Sequence, residues 1–262
     1  MNFPETMKDI GEFGLIRRLD HLLKKEGIQA SGVTLGIGDD AASFKARPGY
    51  EVLVTCDCVV EGRHFLRHHI SAMDLGRRSM MLNISDIGAM GGLPLYALIS
   101  LGLKNETLVR DIENMYRGFL SELNPLNASI IGGNLTKSGD GIFIDITLIG
   151  EVEEGRAVRR SGAMPGDVIL VTGYPGHSAA GLQLLVQSLA PEEHPLVKAY
   201  NKPSHHAREG RAVALTGCAT AMIDTSDGFL GDLGHICEGS RVGALLREEK
   251  FPVSDELREA AR

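Results

Sequence analysis

Apolar residues recur at helical spacing in EFGLIRRLDHLLKK (12–25), where Phe13, Ile16, Leu19, Leu22 and Leu23 precede a basic last turn and Gly27, which predicts a helix. EVLVTCDCVV (51–60) is a near-continuous apolar run bounded by Gly49 and Gly62, the pattern of a buried strand. A long helix is predicted over 72–90, with Ser71 as its N-cap and Gly91-Gly92-Leu93-Pro94 as its stop. LYALISLGL (95–103) reads as a strand, and LVRDIENMYRGFLSEL (108–123) as an amphipathic helix using Ile112, Met115 and Phe119. ASIIGG (128–133) and IFIDITLIGEV (142–152) read as strands, the second alternating Ile142, Ile144, Ile146 and Leu148 on one side.

The pattern then changes. EEGRAVRRSGAMPGD (153–167) is polar, basic and rich in turn formers, as a domain junction is. Beyond it, strands are predicted at 168–173 and 220–225, and helices at 177–189, 205–217 and 227–239. Strands alternating with helices give an α/β (α+β) class, in two domains over 1–152 and 153–262. The second domain, about 110 residues long, is short for a complete α/β layer and reads as truncated, lacking its last segment.

Composition narrows the function. The 262 residues are 43% hydrophobic and 23% charged with a net charge of −7, and no basic run is interleaved with aromatics, which argues against nucleic acid and anionic membranes as partners. No stretch approaches the roughly 20 apolar residues of a membrane span, and the N-terminus lacks the pattern of a secretory signal. Cys56, Cys58, Cys218 and Cys237 form no CxxC pair and read as reduced thiols, so a cytoplasmic location is expected.

Candidate chemistry lies in five stretches that set acids or an amide beside small residues: GIGDDAA (36–42), TCDCVVEGRHF (55–65), NISDIGAMGGLP (83–94), IGGNLTKSGDG (131–141) and MIDTSDGFLGDLGHI (222–236). Small residues let backbone approach a ligand, while carboxylates at the same places would repel a bare phosphate, so a cation is required. There is no Walker-type loop, and the glycines at 36–38 are followed by a strand rather than the helix that a dinucleotide fingerprint needs. His64, His68 and His69 lack the further ligands a zinc site demands, though His64 stands beside the acids. Asp57 lies inside an apolar strand and Asp86 inside a largely apolar helix, where an isolated carboxylate is costly unless paired or metal-bound. Asp224 and Asp227 bracket a strand-to-helix junction at which Ser226 or Asp227 is expected to cap the helix.

In this order the blocks resemble the thiamine-monophosphate kinases, of the superfamily that includes aminoimidazole ribonucleotide synthetase. GEFGLI (11–16), GIGDDAA, VEGRHF, NISDIGAMGGLP, IGGN, RSGAMPGD (160–167), TGYPGHSAAGL (172–182), KPSHHAREG (202–210) and IDTSDGFLGDLGHI carry the resemblance. It implies a two-domain fold with an N-terminal sheet that pairs in a homodimer. It also implies magnesium ligands at Asp40, Thr55, Asp57, Asp86, Asn134, Asp224 and Asp227, ATP contacts at Gly133, Asn134, Arg160 and Ser226, and a thiamine-phosphate contact at His64.

Three departures accompany the resemblance: the family's GGDT is Gly132-Gly133-Asn134-Leu135 here, Cys56 replaces a frequent Thr, and the later GGEDYEL-type segment is absent. The implied reaction is ATP-dependent phosphorylation of thiamine monophosphate to thiamine diphosphate, by direct in-line transfer assisted by several Mg²⁺ ions. A phosphate-monoester nucleophile is mostly dianionic at neutral pH, so no general base is expected among the site residues. Another ATP-dependent reaction of the superfamily, or nucleotide binding without catalysis, is the alternative that Asn134 and the shortened second domain leave open.

Overall fold

The computed structural model describes residues 4–29 and 31–261. It divides into two compact units, one of residues 1–87 and 93–155 and the other of residues 88–92 and 156–262. No described helix is long and apolar enough to cross a membrane.

The first unit holds helices α1 (Met7–Glu26), α2 (Ala72–Ala89) and α3 (Val109–Leu123). Its strands are β1 (Val33–Leu35), β2 (Ser43–Phe44), β3 (Tyr50–Val60), β4 (Leu93–Leu103), β5 (Ser129–Lys137) and β6 (Phe143–Glu153). The main sheet has the order β3-β6-β4-β5. β4 and β5 are parallel with α3 as their crossover, while β6 runs antiparallel between β3 and β4.

Alternation along the strands decides which face packs. Ile144, Ile146 and Leu148 of β6 are wholly buried, as are Ile99 and Leu101 of β4, and they meet Ile84 and Ile87 of α2 and Ile112, Met115 and Phe119 of α3 in the core. α2 starts as expected: the Ser71 hydroxyl accepts the Asp74 N–H at 3.0 Å. It crosses α3 at two glycines. A Cβ on Gly76 would stand 2.0 Å from the Met115 carbonyl oxygen, and one on Gly118 would stand 2.1 Å from that of Met73. The opposite face of β3 is open, with Val52, Val54 and Val60 at 48%, 64% and 39% exposure and Cys56 and Cys58 exposed between them.

In the second unit the expected helices form as α4 (His177–Val186), α6 (Ala207–Thr216) and α7 (Phe229–Ser240), joined by α5 (Pro195–Asn201) and α8 (Asp255–Ala260), which the apolar pattern does not signal. The strands predicted at 168–173 and 220–225 do not form. A strand needs a hydrogen-bonded neighbour. Near these segments the backbone bonds from Met222 N–H to Arg159 O at 3.0 Å and from Asp167 N–H to Met164 O at 3.1 Å build no ladder, and the Asp167 carboxylate accepts Met164 N–H and the Thr220 hydroxyl. Val168 and Leu170 accordingly stand 81% and 86% exposed.

Candidate magnesium and phosphate site

Three of the expected residues meet on the packed side of the first unit's sheet. Thr55 and Asp57 are paired with Leu148 and Ile146 of β6, which places them on the face that receives α2. From α2, Asp86 reaches this row: the Thr55 hydroxyl donates to Asp86 Oδ2, and Asp57 shares a hydrogen bond with Asp86. Burial first, then the Asp86 charge and that shared hydrogen bond, and lastly Asp145, hold the Asp57 carboxyl above the ordinary carboxylate range. Two half-buried, hydrogen-bonded acids flanked by a hydroxyl have the donor chemistry of a hard divalent cation site. A cation there would reverse the repulsion that now raises Asp57.

Asn134 is not gathered into this group. It pairs with Ser100, Ser100 with Asp145, and Asp145 with Cys58, a cross-sheet row on the other face from Asp57. There Cys56 Sγ donates to Asp145 Oδ1 at 3.4 Å. Asp145, which sequence reasoning did not single out, therefore acts on both faces: it contacts Cys56 and adds to the charge felt by Asp57. It alternates like any polar residue of a half-exposed strand, so nothing in the pattern marked it. Gly133 permits a close approach, since a Cβ would lie 2.0 Å from the Ile99 carbonyl oxygen. Asp40 is exposed in its turn, with its N–H bound to Asp39 Oδ1 at 2.9 Å. His64 follows β3 in a turn, and its Nδ1 accepts the Val60 N–H at 3.0 Å.

In the second unit, Asp224 is half-buried, while Ser226 and Asp227 lie exposed in the turn before α7. Neither Ser226 nor Asp227 caps that helix. Gly228 is the N-cap, and the buried Asp232 reaches back to accept its N–H at 3.1 Å. Ligand atoms of Asp227, Asp232 and His235 lie within 4.8 Å of one another. Asp232 and His235 went unremarked in the sequence, although their i, i+3 spacing puts them on one side of α7. Arg160 is exposed, and its carbonyl accepts the hydroxyl of Ser240 at the end of α7. The same hydroxyl accepts the N–H groups of Gly162 and Ala163, which fixes the loop.

Comparison with known proteins gives the same superfamily twice. Residues 38–152 match the AIR synthase related protein N-terminal domain, and residues 164–262 match its C-terminal domain. Thiamine-monophosphate kinase of Bacillus subtilis (strain 168) is 37% identical over 251 residues, covering 94% of this chain and 76% of the relative. The crystal structure of thiamine-monophosphate kinase from Stenotrophomonas maltophilia K279a matches with a TM-score of 0.83 at 32% identity, covering 95% of this chain and 78% of that one. A structure of AaThiL complexed with AMPPCP and TMP matches with a TM-score of 0.76 at 34% identity, covering 99% and 80%.

Proposed function

The chain belongs to the thiamine-monophosphate kinases of the AIR synthase related family, and from that premise we propose that it phosphorylates thiamine monophosphate with ATP through a magnesium-assisted, in-line transfer. The observation that carries the mechanistic part is the Thr55–Asp57–Asp86 group, whose raised Asp57 marks a place where negative charge is packed in want of a cation. Bound Mg²⁺ would supply charge neutralisation between two polyanions that otherwise repel each other.

The residues themselves bind and orient. Asp57 and Asp86 hold the cation from adjacent elements, and Thr55 keeps the Asp86 carboxylate aimed into the group. Gly133, which the family pattern assigns to the nucleotide, lies so close to β4 that a Cβ would strike the Ile99 carbonyl, so a side chain there would displace the strand that carries the contact. His64 carries the thiamine-phosphate contact in this reading, its ring oriented by the bond that Nδ1 accepts from Val60 N–H. On the second unit the family pattern assigns Asp224 and Asp227 to metal, and Arg160 and Ser226 to nucleotide. A dianionic acceptor arrives deprotonated, so the chain needs no base.

The open face of β3 supports a homodimer. Val52, Val54 and Val60 form an apolar ridge on an edge strand, a surface that a second copy of the same sheet would cover.

The test is direct. Purified chain, ATP and Mg²⁺ should convert thiamine monophosphate to thiamine diphosphate with one ADP per product. ADP release that ignores the thiamine substrate, or its absence altogether at high enzyme concentration, would overturn the assignment.

A further inference from the structure

α1 and α3 carry a second concentration of charge that shares no residue with the acidic group. α1 is broken at Gly11, where φ is +67°, and its longer second part runs beside α3. On that part Arg17, His21 and Lys25 recur every four residues, a stripe about 12 Å long at the helical rise of 1.5 Å per residue. With Arg18, Leu22 and Arg117 they line a groove of about 530 Å³, within the size range of small-molecule sites.

Pairing divides these side chains into two sets. Arg18 is fixed by Glu113 at 2.6 Å and Glu5 at 2.8 Å, and Arg117 by Glu26 at 3.1 Å and Asn114 at 3.0 Å. Arg17, His21 and Lys25 are exposed and, among the described residues, their side chains make no hydrogen bond or ion pair. Four Arg and Lys residues thus face two lining glutamates, Glu26 and Glu113, in a chain whose net charge is −7. Two cations without counter-charge at opposite ends of one groove repel each other and favour an anion between them. A single phosphate does not span them. A chain of phosphates does, and guanidinium and ammonium groups are the usual partners of phosphate oxygens.

We propose that this groove is a binding site for a polyphosphate anion, inorganic or nucleoside-linked, that requires no metal ion. The absence of a metal requirement sets it apart from the Thr55–Asp57–Asp86 group, where a bare polyphosphate is repelled. Its test is independent of turnover.

The full chain is titrated calorimetrically with inorganic triphosphate in EDTA, which silences any magnesium-dependent site. Saturable binding is expected, weakened tenfold or more in Arg17→Ala/Lys25→Ala and retained in Lys8→Ala/Lys45→Ala, which removes two exposed charges elsewhere on the same unit. Unchanged melting temperatures exclude unfolding as the cause. A second arm with metal-free ATP identifies the source: tighter binding than triphosphate assigns a nucleoside polyphosphate, and equal binding assigns the phosphate chain alone. The KM for magnesium-ATP should be the same in the double variant and the parent. No saturable triphosphate binding at millimolar concentration, or equal loss in both double variants, overturns the proposal.

Discussion

Asp57 is the residue whose neighbourhood says most. Its raised pKa means the folded state holds a proton more tightly than the unfolded chain does, so this group's contribution to stability is fully present at low pH. That contribution is lost as pH rises from the ordinary carboxylate range through the raised folded value. Asp57→Asn removes the charge that Asp86 and Asp145 oppose. The metal-free variant is therefore expected to melt at or above the parent's temperature at neutral pH, while losing the Mg²⁺-dependent rise in melting temperature and at least about a hundredfold in turnover. A variant that melts lower but turns over normally would contradict both the electrostatic reading and the metal assignment. At this scale the sequence was informative where an acid interrupted an apolar run, as at Asp57 and Asp86. It was silent on Asp145, whose place in an alternating strand looks ordinary, and on Asp232, whose burial follows from its reach back to Gly228 rather than from its neighbours in sequence.

Helices α2 and α3 owe their close crossing to Gly76 and Gly118, each with a carbonyl oxygen of the other helix where a Cβ would go. Because α2 carries Asp86 to the sheet, that crossing positions chemistry as well as core. Gly118→Ala is expected to destabilise the protein by about 1–3 kcal/mol, as overpacking does, and to raise the Mg²⁺ concentration needed for half-maximal activity. Chemical denaturation with a magnesium titration checks both, and a loss of stability with an unchanged magnesium requirement would detach α2 placement from metal binding. Long elements were readable: α3 and β6 followed from their spacing, α2 from its Ser71 cap and Gly91-Gly92-Leu93-Pro94 stop, and β4 from its apolar run. The second unit was less so. VILVTG and TAMIDT have strand composition, but composition supplies no partner, and without a ladder neither becomes a strand: the first stays largely exposed and the second half-buried. α5 and α8, at seven and six residues, are too short to show a period.

For the molecule as a whole, the two-domain α/β class was legible in the alternation of strands and helices, and family membership in the order of its glycine-acid blocks. Assembly is where the open face of β3 makes its prediction. Val54→Lys places a charge in the middle of the apolar ridge, and in sedimentation it should behave as a monomer where the parent is expected to sediment as the proposed dimer. A parent that sediments as a monomer at micromolar concentration would remove the homodimer from the proposal. The same strand has a further consequence. β3 and β6 pair over eleven positions, Tyr50 to Val60, without a bulge, whereas β6 with β4 and β4 with β5 each carry an irregularity. Since strand side chains alternate, moving β3 by one position would carry Asp57 to the valine face and bring Val54 or Cys56 inward. Inheritance of this chemistry is therefore a matter of parity: single-residue insertions and deletions are barred within β3, and length change in a lineage must be absorbed in the turns at Gly49 and Gly62.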